Sequence, residues 1–311
     1  MTLTVSVVIP TYGRRDHLPP MISAIAADPA ATEIIVVVDG SRDGSYELLT
    51  ELAAAEPRLV PLWQDNAGQS AARQAGLERA TGDVVLFLDD DVLAGAHLAH
   101  GHALAHARRP GLVMLGYMPT DRPQARRAGD FSTHLYAEEY ERACLDYERD
   151  PSSVLTGLWG GNLSLRRADA LRVGVRTARR LGYHEDTDFG LRCAAAGLTG
   201  QFSRDLAARH THQRDLAPFL RQAWLAGEAR RILASGYPGT PAGADPATGL
   251  GGPVRLAVLA GAHPLAYRVT RAATRAGVRL AGRLGVWPAE SGLARLQRQI
   301  ELVRGYRGLP H

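Results

Sequence analysis

The sequence predicts an α/β fold, a mostly parallel sheet flanked by helices, with a helical C-terminal extension. Two observations lead to this prediction. Short apolar segments alternate with segments of helical spacing through residue 117, which is typical of βαβ units. Each apolar segment is rich in Val, Ile and Leu and is bounded by turn residues, and such runs suit parallel strands covered on both faces.

The elements follow in chain order. The first half predicts strands at TVSVVIP (4–10), EIIVVVD (33–39), LVPLW (59–63), VVLFL (84–88) and LVMLGY (112–117). Apolar or small residues at helical spacing predict helices between them, at 16–27, 44–55 and 69–80. The second half predicts a strand at 199–210 and helices at 131–148, about 215–235 and the last sixty residues. A segment dense in Gly, Pro and Ala predicts a linker at 236–253.

Polar segments follow the first four predicted strands. They read PTYGRRD, DGSRDGS, QDNAGQS and DDD. In open α/β sheets, ligands bind at the carboxyl ends of the strands. We therefore expect these four segments to line one ligand-binding crevice.

The fourth strand ends in three consecutive acids, Asp89, Asp90 and Asp91. Such close like charges are tolerated when they are solvated, paired or neutralised by a cation. Alternate residues of a strand project to the same side, so Asp89 and Asp91 would offer two carboxylates together. This arrangement suits Mg²⁺ or Mn²⁺ shared with a diphosphate. The alternative is a charged turn that complements the N-terminus of the helix beginning near residue 96.

Positive charge is concentrated at the C-terminal end. All 36 basic residues are arginine, which excludes any mechanism that needs a catalytic or phosphate-binding lysine. Residues 251–311 carry ten arginines against two glutamates, a charge of +8, whereas residues 1–250 carry 26 arginines against 30 acids, a charge of −4. Arginines recur every three or four residues in 268–287 and predict a basic amphipathic helix. Such a helix either lies on an anionic membrane surface or packs its apolar face on the protein and exposes its arginines to water.

Several other classes of protein are disfavoured. No stretch is long and apolar enough to span a membrane, and the N-terminus shows neither a basic region nor a cleavage site. We therefore expect a cytoplasmic protein, with the basic tail as a candidate for peripheral contact at the inner face of the membrane. Cys144 and Cys193 form no disulfide framework or metal motif. Aromatic residues are sparse among the arginines, and no nucleic-acid motif occurs, so we expect no nucleic-acid partner.

Six segments together resemble a known family. In this order, SVVIPTYGR, VVVDGSRDGS, NAGQSAARQAGLERATGD, FLDDD, GGNLSLRR and HEDTDFGLRCAAAG are similar to the inverting family 2 glycosyltransferases. The resemblance covers about residues 3–235. It implies a GT-A type, Rossmann-like sheet, a UDP-, dTDP- or GDP-linked sugar donor, Mg²⁺ or Mn²⁺, and single displacement onto a hydroxyl of a glycan, glycolipid or small metabolite.

The resemblance also implies the donor contacts. These are Pro10, Thr11, Tyr12, Arg14, Asp39, Asn66, Gly68, Arg73, Asp89 and Asp90. The first four would line the base and ribose, and Tyr12 would offer an aromatic face. Asp39 would accept a hydrogen bond from the base, and Arg73 would contact the diphosphate. The family often has two acids where this chain has Val38-Asp39, so uracil, thymine and guanine all remain open.

The general base is assigned by resemblance to Asp186, with Glu185 as the alternative. A structural interpretation stays open, in which these acids and Asp188 only cap a helix and pair with Arg192. The resemblance places the acceptor on Trp159, Gly160, Gly161 and Asn162, and the metal on Asp89, Asp91 and His210. Trp159 either stacks on a sugar or belongs to the core.

Two further histidines, His102 and His106, stand one helical turn apart. Neither Cys nor an acid accompanies them on that face. A solvent-facing helix is therefore expected rather than a zinc site.

The resemblance, together with the composition after residue 235, divides the chain into four parts. Residues 1–115 form the nucleotide-sugar-binding half and 116–235 the acceptor-binding and catalytic half, followed by the linker 236–253 and a basic helical extension, 254–311. Two other functions compete. A sugar nucleotidylyltransferase relies on a Gly-rich loop and lysines, but PTYGRRD has one Gly and the chain has no Lys. A non-catalytic nucleotide-sugar-binding protein would keep the donor site without turnover.

Overall fold

A computed structural model describes residues 3–179 and 181–311 of the chain. These residues form two compact units. The first contains residues 3–119, 141–179 and 186–211, and the second contains 120–140, 181–185 and 212–311.

The first unit contains an eight-stranded sheet with the strand order β3-β2-β1-β4-β7-β6-β8-β5. The strands are β1 (Val5–Thr11), β2 (Ala31–Asp39), β3 (Leu59–Gln64), β4 (Val84–Leu88), β5 (Val92–Ala94), β6 (Leu112–Tyr117), β7 (Asn162–Arg166) and β8 (Thr199–His210). Four of the strand pairs are parallel, namely β1 with β2 and β4, β2 with β3, and β6 with β8. The antiparallel pairs all involve β5 or β7. The mostly parallel sheet predicted from the sequence is confirmed.

Twelve α-helices occur among the described residues. They are α1 (Leu18–Ala26), α2 (Ser45–Ala53), α3 (Gln69–Arg79), α4 (Leu98–Arg108), α5 (Phe131–Arg149), α6 (Ser153–Thr156), α7 (Arg167–Val173), α8 (Glu185–Ala195), α9 (Leu216–Gly236), α10 (Gly252–Ala260), α11 (Pro264–Arg283) and α12 (Trp287–Tyr306). Short 3-10 turns lie at Arg15–His17 and Pro241–Gly243. None of these helices combines the length and apolar character that crossing a membrane requires.

The core of the first unit fixes the position of α3, the helix that carries Arg73. Strands β1 and β4 are buried along their whole length, as is typical of strands whose two faces are both covered. Helix α3 packs closely on this core because it carries Gly76, where a Cβ would collide with Val8 of β1. This close packing fixes α3, which begins at the loop after β3 and carries Arg73 in its second turn.

The second unit is helical. Helices α9 and α12 cross at two glycines, where a Cβ on Gly227 would collide with the Leu302 carbonyl and one on Gly305 with the Trp224 carbonyl. Phe131 of α5, Leu220 of α9, Val278 of α11 and Ala294 of α12 share one apolar cluster. The unit therefore has a core of its own.

Candidate functional site

The loops after β1 and β2 are joined by hydrogen bonds. The Gly13 backbone N–H donates to Ser41 Oγ (3.1 Å), and the Ser41 hydroxyl donates to Asp43 Oδ1 (2.6 Å). Asp43 also accepts from the Arg15 backbone N–H at 3.1 Å. Burial raises the pKa of Asp43, but these bonds and those from Ser45 outweigh it and lower the pKa to about 2. The two strand-end loops are thereby held together at one edge of the sheet.

Asp39, the last residue of β2, organises the loop after β3. Its Oδ1 accepts from Gln64 Nε2 (2.7 Å) and the Ala67 backbone N–H (2.9 Å), and its Oδ2 accepts from the Gly68 backbone N–H (2.9 Å). Asn66 Nδ2 donates to the Asp39 carbonyl at 2.9 Å. Asp39 is almost fully buried, and its contact with a base stays a prediction. Gln64 begins the QDNAGQS segment, but its contact with Asp39 was not predicted, because the pairing of these two residues across β2 and β3 is visible only in the fold.

Arg73 of α3 lies between two acids that are far apart in the sequence. Its Nη2 donates to Asp89 Oδ1 (2.7 Å) and the Gly160 carbonyl (3.2 Å), and its Nη1 donates to Asp186 Oδ1 (2.5 Å). The Arg73 side chain is 4% exposed, whereas both carboxylates are 27% exposed. Burial lowers the pKa of Arg73, but the two carboxylates outweigh it and keep the guanidinium charged. We call Arg73, Asp89 and Asp186 the acid–arginine cluster.

Two glycines directly before β7, Gly160 and Gly161, contact Asp186 and Asp89 respectively. The Gly160 backbone N–H donates to Asp186 Oδ2 (3.1 Å), and the Asp89 N–H donates to the Gly161 carbonyl (3.1 Å). A Cβ at Gly160 would lie 2.8 Å from Asp186 Cγ, and one at Gly161 would lie 2.8 Å from Asp89 Oδ2 and Met118 Sδ. The glycines therefore allow the backbone to approach the protein's own carboxylates. Their contact with an acceptor stays a prediction.

The other two acids of the triplet contact a different set of groups. Thr11 Oγ1 donates to Asp90 Oδ2 at 2.8 Å. Arg14 lies 3.4 Å from Asp90 (Nε to Oδ1) and 3.2 Å from Asp91 (Nη2 to Oδ2). His210 Nε2 lies 3.4 Å from Asp91 Oδ1. Burial raises the pKa of Asp90 to about 6. Arg14 thus contacts the acids, and its place on the base and ribose side of a donor stays a prediction.

A short strand explains why His210 reaches Asp91. Val92 of β5 pairs with His210 of β8, and the Thr211 backbone N–H donates to the Asp91 carbonyl at 3.0 Å. Strand β5 has three residues and was not predicted, because so short a segment carries no periodic signal.

Asn162 and the two histidines of α4 are placed differently from the expectation. His102 and His106 are fully buried rather than solvent-facing. His102 Nδ1 and His106 Nε2 each lie 2.7 Å from Ser164 Oγ, and His102 Nε2 lies 3.0 Å from Asn162 Oδ1. The Asn162 side chain is also fully buried, with its Nδ2 donating to the Leu206 carbonyl (2.9 Å). Its amide therefore binds protein groups, and the acceptor contact predicted for it has no support from this geometry.

These hydrogen bonds assign one proton arrangement. Because Asn162 Oδ1 only accepts, His102 Nε2 carries the proton and His102 Nδ1 accepts from the Ser164 hydroxyl. Ser164 Oγ then accepts from His106 Nε2–H. Burial lowers the pKa of His102 to about 3 and that of His106 to about 4, so both rings are neutral near pH 7. We call these three residues and Asn162 the histidine–serine cluster.

The acids of α8 have separate partners. Asp186 contacts Arg73, while Asp188 Oδ2 accepts from Arg192 Nε at 2.9 Å. Arg192 also donates to the carbonyls of Val173 and Val175, each at 3.1 Å. The interpretation in which all the acids pair with Arg192 is therefore wrong for Asp186.

The remaining predicted site residues vary in exposure. Tyr12 follows β1 and is 61% exposed. Pro10 and Thr11 are buried, Trp159 is half-buried and Asn66 is exposed. Their contacts with donor or acceptor stay predictions.

Comparison with known proteins decides the family. The model described as Glycosyl transferase family 2 matches residues 6–157, and the model described as Glycosyl transferase family group 2 matches residues 84–270. The second match alone covers more than half of the chain. The protein belongs to glycosyltransferase family 2. The resemblance to family 2 seen in the sequence is confirmed.

Solved structures similar to this family 2 glycosyltransferase confirm the GT-A fold. The mannosyltransferase PcManGT from Pyrobaculum calidifontis, in complex with GDP-Man and Mn²⁺, aligns with a TM-score of 0.61 and 17% identity over 96% of this chain and 86% of that chain. Residues 1–349 of TarS from S. aureus, in complex with UDP-GlcNAc, align with a TM-score of 0.54 and 16% identity over 96% and 92%.

Curated relatives match over shorter spans. The undecaprenyl-phosphate 4-deoxy-4-formamido-L-arabinose transferase of Aeromonas hydrophila is 46% identical over 94 residues, which are 28% of this chain and 29% of that protein. The uncharacterized glycosyltransferase YfnE of Bacillus subtilis is 30% identical over 256 residues, or 66% of this chain and 64% of that protein. The match thus spans less than a third of the Aeromonas relative and about two thirds of YfnE.

The chemistry of the acids in this glycosyltransferase fits a divalent cation. Within residues 3–179 and 181–311, no three His, Cys, Asp or Glu side chains converge as a complete metal site. Asp91 and His210 nevertheless bring a carboxylate oxygen and an imidazole nitrogen within 3.4 Å of each other. Mg²⁺ and Mn²⁺ take few protein ligands and complete their shell with water and substrate phosphate, so this donor pair fits such an ion.

Proposed function

We propose that this glycosyltransferase is metal-dependent and inverting, and that it moves a sugar from a nucleoside-diphosphate sugar to an acceptor hydroxyl. The observation that carries the proposal is the position of Arg73 between Asp89 and Asp186. One guanidinium couples an acid of the DDD segment to the candidate base, and both acids keep about a quarter of their side-chain surface open. The acid proposed to bind the donor and the acid proposed as the base are thus both paired with the same arginine.

The donor is proposed to bind at the ends of β1 to β4. The loops there are tied together by Ser41, Asp43 and Asp39, which makes the edge of the sheet preorganised for a ligand. Residues 1–115 would supply the donor half and residues 116–235 the acceptor half. The GDP-Man and UDP-GlcNAc complexes of PcManGT and TarS support a nucleotide-sugar donor.

The reaction would be a single displacement. The acceptor oxygen gives its proton to an Asp186 carboxylate oxygen as it attacks the anomeric carbon. The bond from the anomeric carbon to the phosphate oxygen breaks, and its electron pair leaves with the nucleoside diphosphate. Attack from the face opposite the leaving group inverts the anomeric configuration.

Asp186 is suited to the role of base. An ionised carboxylate has about four lone-pair sites, and Arg73 and the Gly160 N–H occupy one on each oxygen. The remaining sites and the exposed quarter of the side chain leave room for an acceptor hydroxyl. Its two hydrogen bonds also fix its orientation, which positioned general bases require.

The cation would be held by Asp91 and His210, which lie 3.4 Å apart, and Asp89, now paired with Arg73, would join them as a third ligand when the ion and the donor bind. When bound, the cation would offset the negative charge that develops on the departing diphosphate. Arg14 forms ion pairs with Asp90 and Asp91 and partly balances their negative charge.

The base assignment is tested by two neighbouring substitutions. Asp186→Asn should reduce transfer at least hundredfold, because a positioned general base contributes about 10²–10⁴, while donor binding persists. Glu185→Gln, at the preceding position of the same helix, should stay within about threefold of the wild type. Turnover and thermal stability are measured for both. Normal turnover in Asp186→Asn would contradict the assignment, and loss in Glu185→Gln alone would transfer it to Glu185.

The donor and metal are tested by thermal shift with UDP, dTDP, GDP and CMP, each with and without Mn²⁺. A ligand at about a hundredfold excess over its Kd stabilises the native state by about 2.7 kcal/mol. A shift with one diphosphate that needs Mn²⁺ supports the proposal, and Asp91→Asn should remove the metal dependence. Tight donor binding with neither transfer nor hydrolysis would instead favour the non-catalytic binding protein.

A further inference from the structure

Helix α11 exposes an apolar stripe to solvent. Leu265, Val269 and Leu280 of α11, together with Leu284 directly after its last residue, are between 57% and 67% exposed, and Ala276 is exposed too. These positions are separated by four or seven residues, so they follow one line along the helix. Leu256 of the preceding helix α10 is 69% exposed. Contiguous exposed apolar residues of this kind mark interaction surfaces.

The stripe is not the face by which α11 packs on its own unit. That face carries Tyr267, Thr274, Val278 and Ala281, which are all buried. Val278 belongs to the apolar cluster shared with α9 and α12. Helix α11 therefore has two apolar faces, of which the fold uses one. The expectation that its apolar side packs and its arginines face water describes only half of the helix.

Arginines accompany the exposed stripe. Arg268, Arg279 and Arg283 are exposed on α11, and neither α10 nor α11 contains an acidic residue. After residue 250 the only acids are Glu290 and Glu301, and both are buried. Glu290 accepts from the Gly129 N–H (2.9 Å), and Glu301 accepts from the Tyr267 hydroxyl (2.9 Å). The exposed residues of α10 and α11 thus contribute apolar side chains and positive charge to this surface and no negative charge.

We infer that this surface of α11 docks on a lipid bilayer that contains anionic phospholipids. A bilayer interface offers phosphates to the arginines and acyl chains to the leucines, and both are needed to match this surface. A second copy of the chain would bring arginines against arginines. A nucleic acid would offer phosphates but no apolar layer for residues such as Leu280 and Leu284. The inference does not depend on the donor, the acceptor or the base.

The first test is co-sedimentation of the full-length chain with vesicles, in the absence of donor and metal. Vesicles of phosphatidylcholine alone are compared with vesicles of phosphatidylcholine and phosphatidylglycerol. Partition should be at least tenfold stronger onto the anionic vesicles and should weaken as salt is raised, because exposed charges are screened. Equal partition onto both vesicles, or none onto either, would overturn the inference.

The second test separates the stripe from the arginines with matched controls. Leu280→Asp should weaken partition at least tenfold, whereas Leu171→Asp, at a 39% exposed position of α7, should leave it unchanged. Arg268→Gln with Arg279→Gln should weaken it about fivefold per arginine. Arg108→Gln with Arg109→Gln, a pair of exposed arginines at the end of α4, is the control. Circular dichroism and Tm verify that each variant folds.

Three results would assign the surface to something else. If the variants and their controls lose vesicle binding equally, the binding depends on the net charge of the protein and not on this surface. Binding that survives Leu280→Asp and is competed away by DNA would point to nucleic acid. A dimer in solution that Leu280→Asp dissociates, with no vesicle binding, would assign the stripe to a second copy. Failure of the donor assays would leave the vesicle result untouched, because the vesicle assay contains no donor.

Discussion

The chain from Gly160 to Ser164 contacts two polar clusters of opposite character. The acid–arginine cluster is charged, and its carboxylates are 27% exposed. The histidine–serine cluster is neutral and fully buried. Both contact the same few residues, yet of the two only the first has groups that a substrate could reach. The contrast separates the groups suited to chemistry from the groups that support them.

The physical reason lies in the cost of burying charge. Charged groups far from water must be paired and hydrogen-bonded, whereas neutral groups need only their hydrogen bonds. In the acid–arginine cluster the two carboxylates are partly exposed, so water or a bound substrate can solvate them in addition to Arg73. The histidine–serine cluster avoids it, because each hydrogen bond in the series from Asn162 to His106 has one donor and one acceptor. It thereby fixes the start of β7 and, next to it, the glycine pair.

The largest effect is expected from Arg73→Met. This change leaves Asp89 and Asp186 facing each other without a cation and should lower the free energy of unfolding by about 3 kcal/mol. Transfer should fall at least hundredfold, because the orientation of Asp186 is lost. The control is Arg79→Met on the same helix. The Arg79 side chain is 47% exposed, and Glu33, with which it pairs, also accepts hydrogen bonds from Ser6 and Thr81, so the loss of this pair should cost at most about 1 kcal/mol. Urea unfolding and turnover are measured for both, and equal stability of the two variants would contradict the role of the cluster.

A smaller effect is expected from Gly160→Ala. The added Cβ would lie 2.8 Å from Asp186 Cγ, so the backbone or the acid must move, at a cost of about 1–3 kcal/mol. Turnover should drop at least tenfold, since misplaced catalytic groups lose much of their effect. Gly157→Ala in the same loop meets ordinary contacts of 3.4 Å and more and should change neither quantity. If both variants turn over alike, the close approach of glycine and acid is not required.

The fold was largely predictable from the sequence, and so were the residues that gather in the site. Buried strands such as β1 and β4 have strong apolar runs, so their positions were found to within a residue. The approach of Asp89 to Asp186 could not be deduced from the residues alone, because 96 positions separate them and only tertiary packing brings Arg73 between them. The resemblance supplied Asp186 as the base but not its partner.

The histidines of α4 show the opposite case, a signal that was present and misread. Leu98, Ala99, His102, Ala103 and His106 recur at helical spacing and form the buried face of α4. Counting His with the apolar residues would have predicted burial. The hydrogen-bond partner Ser164 was not predictable in the same way, because it comes from a strand about sixty residues further along the chain.

The neutral cluster predicts a dependence of stability on pH. His102 and His106 have pKa values of about 3 and about 4 in the folded chain, against about 6.5 when unfolded. The unfolded state therefore takes up protons first as the pH falls. Stability should be full above about pH 6.5 and should decline by about 1.4 kcal/mol per pH unit for each histidine toward pH 4.

The measurement compares urea midpoints between about pH 5 and 7 for the wild type and His102→Gln, which removes one of the two contributions. The variant should be less stable near pH 7 but should lose less on acidification. Asp90 has a raised pKa of about 6, so its protonation stabilises the folded state as the pH falls. This contribution is the same in both proteins and cancels when their stabilities are compared. His100→Gln, at an exposed position of the same helix, should keep the wild-type slope. Parallel curves for His102→Gln and the wild type would show that His102 is not held neutral.

The smallest effect is expected from Tyr12→Ala, which lies outside both clusters. Tyr12 is 61% exposed, so its removal should change the free energy of unfolding by less than about 0.5 kcal/mol. If its ring stacks on the base of the donor, KM for the donor should rise about fivefold or more, since stacking is worth about 1–3 kcal/mol per base. The turnover number should stay close to that of the wild type, because the acid–arginine cluster is intact. An unchanged KM would contradict the place of Tyr12 in the donor site. A fall in turnover without a rise in KM would mean that the loop after β1 positions the acids and does not bind the nucleobase of the donor.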